Sequence, residues 1–346
     1  MIPTIQILIA AAVAFLVSVI VTRRILDPAS RLHVLDHPNE RSLHTLPTPR
    51  TGGVAIFTGI VTALTIWVLS GGELQPLHGL GASALLLVVL SFVDDYRGLP
   101  VRLRLLGHLV VAGLPVLTGL YLTTVTLPGF VWNWPMWLGM LVSLLFIIWM
   151  INLYNFMDGM DGFASGMAVI GFGTFALLGS LSHHWDFLAI NLVIAFAAAG
   201  FLIFNFPPAS IFMGDTGSSL LGLLAGGVSI WGARDGVFPF WIALLVFSPF
   251  IIDATVTLLR RLVRGERVWQ AHRTHYYQRL VQLGWGHRKT VLTEYAVMLA
   301  CAGTSVATHF QSTDAQWVTI VIWAGIYALL MLSVKSIERR HQRRNS

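Results

Sequence analysis

Long apolar stretches alternate with short polar segments along the whole chain of 346 residues. A helix that crosses a lipid bilayer needs about 20 mainly apolar residues. The alternation predicts eleven such spans: 4–22, 52–70, 79–93, 105–122, 134–152, 165–181, 188–205, 216–232, 237–256, 290–308 and 316–334. No internal repeat or low-complexity linker interrupts them. We therefore expect an all-α polytopic membrane protein with a single integral membrane domain, 1–346.

The first apolar stretch has two interpretations, a cleaved signal peptide or a retained helix. Signal peptides carry basic residues before the apolar run and a small-residue cleavage site after it. Here Arg23 and Arg24 follow the run, and no such cleavage site follows. A retained helix with its N-terminus outside the cell fits this pattern better.

The basic residues test this topology. With an outside N-terminus, the inside segments are 23–51, 94–104, 153–164, 206–215, 257–289 and 335–346. They hold 21 of the 22 lysines and arginines, and the outside segments hold only Arg234. Cytoplasmic loops are enriched in Lys and Arg. The chain is therefore predicted to end in a basic cytoplasmic tail, 335–346. For any individual arginine, the alternative to a role in function is that it only orients the chain beside anionic lipid.

Composition narrows the class of protein further. Hydrophobic residues make up 55% of the chain and charged residues 11%, whereas a soluble domain carries about 25% charged residues. An ordinary soluble enzyme, a disordered chain and a nucleic-acid-binding module are excluded, although the net charge is +6. The single cysteine, Cys301, excludes a disulfide framework and a thiolate metal cage.

Acidic residues form three short clusters on the predicted inside face. The first is Asp94-Asp95, at the end of the third span. A helix C-terminus already carries partial negative charge, so two carboxylates there favour a bound divalent metal or a base beside one. The alternative is a pair of ordinary loop-end acids, solvated or paired with arginine.

The second cluster places Asn152, Asn155 and Asp158 three residues apart, on roughly one face if the fifth helix continues. Amide and carboxylate oxygens are hard ligands that suit Mg²⁺. Gly159 and Gly162 then end the helix and allow close approach of the backbone. This spacing is much more specific than a lone Asp-Asp pair.

The third cluster, Gly214-Asp215, lies just before the eighth predicted span. Gly217, Ser218 and Ser219 follow at a helix N-terminus, where free N–H groups and the helix dipole favour anions. A carboxylate beside such a helix start is suited to a metal–diphosphate site. A simple Ser/Gly helix cap is the competing interpretation.

Two inside loops carry basic and histidine residues. In the first, Arg41, His44 and Arg50 are candidates for phosphate contacts, and nearby prolines would stiffen the loop. In the late loop, His272, Arg273 and His275 are candidates to clamp a diphosphate. That loop is equally consistent with an amphipathic surface helix against lipid headgroups. A zinc site is not expected, because no third nitrogen or sulfur ligand stands at suitable spacing.

From about residue 36 to 290, the chain resembles the bacterial polyprenyl-phosphate N-acetylhexosamine-1-phosphate transferases. These enzymes start O-antigen and related polysaccharides, and the cell-wall translocase is a member. Four motifs appear in family order: Pro38-Asn39…Arg41-Ser42…His44…Pro49-Arg50…Gly52-Gly53, Asp94-Asp95, Asn152-xx-Asn155-xx-Asp158-Gly-x-Asp161-Gly, and Met213-Gly214-Asp215-x-Gly217-Ser218. The span count, the orientation and Asp253 before a basic loop agree as well.

The chain departs from the family pattern in two places. Gly98 stands where many members carry an acidic or amide residue. In the family's His-x-His-His motif, His275 matches the first histidine, while Tyr277 and Gln278 replace the other two. These departures favour the O-antigen- or capsule-initiating type over the cell-wall translocase, with a 6-deoxy-N-acetylhexosamine among the candidate donors.

The resemblance implies transfer of N-acetylhexosamine 1-phosphate from a UDP-sugar to undecaprenyl phosphate, with release of UMP. It implies Mg²⁺, or Mn²⁺, on Asp215 with Asn155. It assigns catalytic roles to Asp94, Asp95 and Asp158. Asp94 or Asp95 would accept a proton, or both would only organise metal and lipid. The implied substrate and phosphate contacts are Asn39, Arg41, His44, Arg50, Asn152, Asp161, Gly214, Ser218, His272, Arg273 and His275.

The resemblance also implies a place and partners for the chain. A bacterial inner-membrane protein is expected, with a periplasmic N-terminus and an active site on the cytoplasmic face. The loops 23–51, 94–104, 153–164, 206–215 and 257–289 would form that site. Membrane lipid is an expected partner and nucleic acid is not, and a homodimer is left open. The role of Asp253 also stays open.

A transporter is the competing function, because intramembrane acids also serve ion coupling. Transporters often show inverted repeats with broken helices at the membrane midplane. Here the polar residues cluster at the inside ends of the spans and no repeat is evident. A lipid-binding scaffold would not need the Asn/Asp motif.

Overall fold

A computed structural model describes residues 4–38, 43, 45–74, 77–267 and 272–345. Most of them lie in helices: α1 Thr4–Leu26, α2 Gly53–Leu69, α3 His78–Arg97, α4 Val101–Leu117, α5 Met136–Met157, α6 Phe163–Leu181, α7 Trp185–Asn205, α8 Gly214–Arg234, α9 Phe240–Val246, α10 Ser248–Val263, α11 Tyr276–Leu280, α12 Gly286–His309 and α13 Thr313–Asn345. A π-helical segment, Val281–Trp285, joins α11 to α12. The prediction of a predominantly helical chain is confirmed.

Within these ranges, seven helices are long and apolar enough to cross a membrane, or eight if the bent pair α9–α10 forms one span. This is consistent with a polytopic membrane protein. Each of the eleven predicted stretches coincides with a helix, and 237–256 falls on the bent pair. The exact count of eleven spans and the orientation of the chain stay predictions.

Several helices run further than the apolar pattern does. α3 continues through Asp94 and Asp95 to Arg97, and Gly98 ends it with a positive φ of 69°. α5 includes Asn152 and Asn155 and ends at Met157. The basic residues after 335 continue α13. Polar side chains do not end a helix by themselves, so the helices carry polar groups beyond their apolar stretches.

The α9–α10 pair bends by 80°. Phe247, with φ −93° and ψ 7°, lies between the two helices, and Pro249 stands at the start of α10. Proline has no N–H to continue the hydrogen bonds of the preceding helix. The bend therefore separates α10, which carries Asp253, from the direction of α9.

The buried helix α8 organises the interior, and α2, α3 and α5 pack against it. Small residues allow the close approach of α5: a Cβ on Gly222 would lie 2.4 Å from the carbonyl oxygen of Met150. Helix pairs in membranes commonly use small residues in this way. The packing brings the C-terminal ends of α3 and α5 to the N-terminus of α8.

Four short strands complete the described chain as two antiparallel pairs. β1 Leu35–Asp36 pairs with β2 Thr48–Pro49, and β3 Thr124–Leu127 pairs with β4 Phe130–Asn133. The first pair closes the loop between α1 and α2, so that Arg50 lies directly after a paired strand. The second pair lies between α4 and α5.

Candidate active site

Two adjoining cavities, of about 420 and 280 Å³, lie where the ends of α3, α5 and α8 meet. Both are lined by Asn155, Asp158, Gly159, Asp215 and Gln278. The larger cavity adds Asp94, Asn152, His272 and His275, and the smaller adds Arg50, Asp95, Asp161 and Gly214. Three motifs separated by about 60 residues each therefore meet in one place.

Asp95 holds the start of α8. Its carboxylate accepts hydrogen bonds from the N–H groups of Asp215 (2.9 Å) and Thr216 (3.0 Å) and from the Thr216 hydroxyl (2.6 Å). Free N–H groups and the positive end of the dipole make a helix N-terminus a favourable place for a carboxylate. Asp95 is thus an N-terminal cap supplied by a neighbouring helix, and it fixes the position of Asp215.

Arg104 lies between the other two carboxylates. Its Nη1 is 3.3 Å from Asp94 Oδ2 and 3.3 Å from Asp215 Oδ2. Asp94 also accepts a hydrogen bond from the N–H of Leu99. Arg104 stands in no recognised motif of the sequence. The sequence feature that points to Arg104 is the short turn at 98–100. This turn reverses the chain and places the start of α4 beside the end of α3.

Asn155 joins the second motif to the third. Its side-chain amide donates to Asp215 Oδ1 at 2.7 Å and to Ser218 Oγ at 3.2 Å. Both bonds use the nitrogen, so the amide's carbonyl oxygen remains as a hard donor atom. Ser218 donates its hydroxyl to the Gly214 carbonyl at 3.0 Å, within α8. Asn152 donates in the same way to Ile148, at 2.7 Å.

Two glycines allow the first loop to reach α8. A Cβ on Gly53 would lie 2.1 Å from the nitrogen of Gly217, and a Cβ on Gly214 would lie 2.0 Å from the Arg50 carbonyl oxygen. Gly214 also has a positive φ of 70°, which favours glycine. A main-chain hydrogen bond from the Gly53 N–H to the Met213 carbonyl oxygen (2.8 Å) completes this contact.

The contact brings Arg50 to the smaller cavity. Its guanidinium donates to the main-chain carbonyl of Asp95 and lies 3.4 Å from Asp36 Oδ1. Of the other residues proposed from this loop, Asn39, Arg41 and His44 lie outside the described residues.

Asp158 and Asp161 line the cavities from the turn between α5 and α6. Burial, and then the charges of Asp215, Asp95 and Asp161, raise the pKa of Asp158 well above its usual range. Asp161 accepts a hydrogen bond from the Ala209 N–H at 3.0 Å, and its Oδ1 lies 3.0 Å from His287 Nδ1. His287 lines the smaller cavity and was missed in the sequence, where it stands apart from every recognised motif.

The charges of this site fit a divalent cation. Asp94, Asp215 and the Asn155 amide supply hard oxygen donors, the kind Mg²⁺ prefers. Within the described ranges, no three His, Cys, Asp or Glu side chains are already grouped as a metal cluster. The Arg104 guanidinium occupies the place between the two carboxylates, which itself shows that this point favours positive charge.

Asp253 positions the late loop. It accepts hydrogen bonds from the N–H groups of Tyr276 (2.9 Å) and Tyr277 (3.1 Å) and lies 3.2 Å from His275 Nδ1. The N–H groups belong to the start of α11, so Asp253 repeats, at a second helix, what Asp95 does at α8. The contact fixes His275, which is 2% exposed, at the wall of the larger cavity.

The two residues that depart from the family's histidines pack on the second motif. The Tyr277 hydroxyl donates to the Phe156 carbonyl at 3.2 Å, and a Cβ on Gly159 would lie 2.3 Å from that hydroxyl oxygen. Gln278 accepts from the His275 N–H at 3.3 Å and lines both cavities. These side chains therefore attach the late loop to the turn that carries Asp158.

The adjacent residues His272 and Arg273 line different cavities. The His272 ring lies 4.8 Å from the His275 ring, centre to centre, and lines the larger cavity. Burial, and then the neighbouring His275 and Arg261, lower the pKa of His272 to about 4, so the His272 ring is neutral at pH 7. Arg273 lines neither central cavity and faces a separate basic pocket. Its predicted contact with the central site is therefore not present in this structure.

Comparisons with known proteins identify the relatives of the chain. A family model described as glycosyl transferase family 4 matches residues 77–233. The chain is 32% identical over 335 residues to the probable undecaprenyl-phosphate N-acetylglucosaminyl 1-phosphate transferase of Bacillus subtilis (strain 168), with 95% of this chain and 90% of that protein covered.

Two further relatives have related names. The decaprenyl-phosphate N-acetylglucosaminephosphotransferase of Mycobacterium tuberculosis (strain ATCC 25618 / H37Rv) is 32% identical, covering 88% of this chain and 83% of that protein. The phospho-N-acetylmuramoyl-pentapeptide-transferase of Listeria welshimeri is 30% identical, covering 75% and 83%. The chain therefore belongs to the polyprenyl-phosphate N-acetylhexosamine-1-phosphate transferases of glycosyl transferase family 4.

Proposed function

We propose that this protein transfers N-acetylhexosamine 1-phosphate from a UDP-sugar to undecaprenyl phosphate and releases UMP. The observation that carries the proposal is the meeting of Asp94, Asn155 and Asp215 around Arg104, beside two cavities. An oxygen-rich, cation-seeking site of this kind suits a reaction between two phosphates. A transporter has no comparable support from the described residues or from the relatives.

In the proposed reaction, an oxygen of the lipid phosphate attacks the sugar-bearing phosphorus of the donor. A new P–O bond forms there, the bond to the bridging oxygen breaks, and UMP leaves with that oxygen. A phosphomonoester has a second pKa of about 6, so the acceptor is mostly dianionic at neutral pH. A base therefore adds little, and the main task of the site is to bring two anions together.

Different side chains of the site would supply positive charge, hold the metal and position the helices. Arg104 and Arg50 supply permanent positive charge at the two cavities. Asp215 and the Asn155 carbonyl would hold Mg²⁺, with Asp94 beside them, and Mn²⁺ could take the same donors. When bound, the metal supplies charge neutralisation at the diphosphate. Asp95 and Asp253 position α8 and the late loop rather than contact the reacting atoms.

His272 and His275 form a wall of the larger cavity beside Gln278. The neutral His272 imidazole both donates and accepts a hydrogen bond, so this wall suits phosphate oxygens or sugar hydroxyls. Asn152 and Asp161 line the two cavities at other points and are candidate substrate contacts.

The setting proposed for this reaction is the cytoplasmic face of the bacterial inner membrane, where the lipid carrier and the soluble donor meet. Of the three relatives described above, two are named for N-acetylglucosamine transfer, which makes UDP-N-acetylglucosamine the first donor to test. A 6-deoxy-N-acetylhexosamine remains the second. Initiation of O-antigen or another cell-surface polysaccharide is the proposed pathway step.

The test is UMP release by the purified protein with a panel of UDP-N-acetylhexosamines, with and without undecaprenyl phosphate and Mg²⁺. We expect release that requires both lipid and metal, and an Asp215→Asn variant that is folded but inactive. Release without the lipid would indicate hydrolysis instead of transfer. Absence of release with every donor, from folded protein, would refute the proposal for this panel.

A further inference from the structure

A basic pocket of about 310 Å³ lies outside the central cavities, at the C-terminal end of α10. Its walls hold two glutamates and five arginines, a balance of 5 − 2 = +3, and the arginines are Arg260, Arg261, Arg264, Arg273 and Arg279. The proposed transfer uses none of these arginines. A concentration of charge this high in a chain with 11% charged residues calls for a ligand of opposite charge.

The two glutamates compensate only part of this charge. Arg261 Nε lies 2.7 Å from Glu266, and Arg279 pairs with Glu338. Arg260 donates to the neutral Tyr276 hydroxyl at 3.0 Å. Within the part of the chain that the structure describes, neither Arg260 nor Arg273 has a carboxylate partner, so their charges remain available to an anion.

Exposed apolar side chains lie next to the pocket's arginines along the last turns of α10. Leu259 is 54% exposed, Leu262 61% and Val263 87%. Apolar residues interleaved with arginines at the end of a membrane helix are typical of the lipid–water boundary, where aliphatic surface meets acyl chains and guanidinium groups reach the headgroups. A soluble anion would leave this apolar surface uncovered.

We propose that the basic pocket binds the phosphodiester headgroup of an anionic phospholipid, with its acyl chains against Leu259, Leu262 and Val263. Basic pockets between membrane helices on the cytoplasmic side bind anionic headgroups in this way. The proposal is independent of the reaction at the central cavities.

The pocket also connects to the central site. Arg273 and Thr274 line the basic pocket, whereas His272 and His275, in the same four-residue segment, line the larger cavity. A headgroup held by Arg273 therefore orders the backbone that carries both histidines. Resting on the proposed function, this predicts that anionic lipid lowers the KM for the UDP-sugar.

The first test measures lipid binding to the full-length protein by native mass spectrometry. Phosphatidylglycerol is compared with phosphatidylcholine on the wild type and on an Arg260→Gln/Arg264→Gln double variant. An arginine near an anionic surface contributes about fivefold in affinity, so the double variant should bind phosphatidylglycerol about 25-fold more weakly. The matched control is Arg339→Gln/Arg340→Gln, two exposed arginines of α13 outside the pocket, which should bind as the wild type does.

Three outcomes would overturn the proposal. The double variant could retain phosphatidylglycerol fully, the wild type could retain phosphatidylcholine equally well, or excess inorganic phosphate could displace the lipid completely. The last result would identify a site for a soluble anion. The KM measurement in nanodiscs is separate: a protein that binds the lipid but releases no UMP would refute the proposed function and leave the lipid site standing.

Discussion

The carboxylate of Asp95 provides a quantitative test of how the site is built. It accepts three hydrogen bonds from the first turn of α8, and a hydrogen bond to a charged group contributes about 1.5–3 kcal/mol. Thr216→Val removes the hydroxyl bond and keeps the shape of the side chain and both N–H groups. We expect it to lower the free energy of unfolding by about 2 kcal/mol. Asp95→Ala removes all three bonds, and we expect it to cost more than about 3 kcal/mol.

The two substitutions form a double-mutant cycle. Thermal unfolding is followed through tryptophan fluorescence, and UMP release is measured on the same preparations. Because the Thr216 hydroxyl bonds to Asp95, Thr216→Val should cost little once Asp95 is alanine, giving a coupling of about 2 kcal/mol. Turnover should fall in Thr216→Val as well, because one of the three bonds that hold the start of α8, and with it Asp215, is lost. Thr58→Val is the control, since that hydroxyl bonds only within α2.

A different pattern would refute this reasoning. If Thr216→Val unfolds and turns over as the wild type does, the hydrogen bonds to Asp95 do not hold α8. If Asp95→Asn then folds normally, loses turnover and changes the pH dependence of the residual rate, Asp95 takes part in the chemistry instead.

Three further substitutions test other contacts. Arg104→Gln leaves the carboxylates of Asp94 and Asp215 facing each other, so kcat/KM for the UDP-sugar should fall about 100-fold. Arg104→Lys should recover part of this loss. An unchanged kcat/KM in Arg104→Gln would show that Arg104 has no role in the site. Gly53→Ala should unfold at a lower temperature because its Cβ would meet Gly217, whereas Gly303→Ala, which faces open space, should not. Asp253→Asn should lower kcat by loosening His275 and should make the late loop more sensitive to protease, and a normal rate with unchanged proteolysis would contradict that role.

The sequence predicts the helices better than it predicts where they end. Hydropathy measures the apolar stretch that can be buried in lipid, and each predicted stretch does coincide with a helix. The pattern misses the extra turns that carry Asp94, Asp95 and Asn155, since these depend on backbone bonds that polar residues also make. The 80° bend at Phe247 is invisible to hydropathy as well, because both halves of the stretch are apolar.

The residues of the candidate site are likewise only partly predicted by the sequence. Asp94, Asn155 and Asp215 carry a recognisable spacing and stand at the ends of apolar stretches, so the sequence finds them. Arg104 and His287 stand in no motif, and only the packing of helix ends shows them beside carboxylates. The sequence also cannot distinguish a residue that contacts substrate from one that holds the backbone. Asp95 looks like a catalytic acid in the sequence, and the sequence leaves the role of Asp253 open. The structure places both carboxylates at helix N-termini.

The main-chain contact between the first loop and the start of α8 determines how early the candidate site can assemble during synthesis in the cell. Gly53 bonds to Met213, which is 213 − 53 = 160 residues later in the chain. At a synthesis rate of about 5–20 residues per second, the ribosome needs roughly 8–32 s to cover that distance. During this interval the first loop lacks its contact with α8, although α1 and α2 are complete well before that contact can form. A nascent chain arrested before α8 therefore holds membrane helices without an active site, and the later segment of α10 and α11 has to dock before His275 joins it.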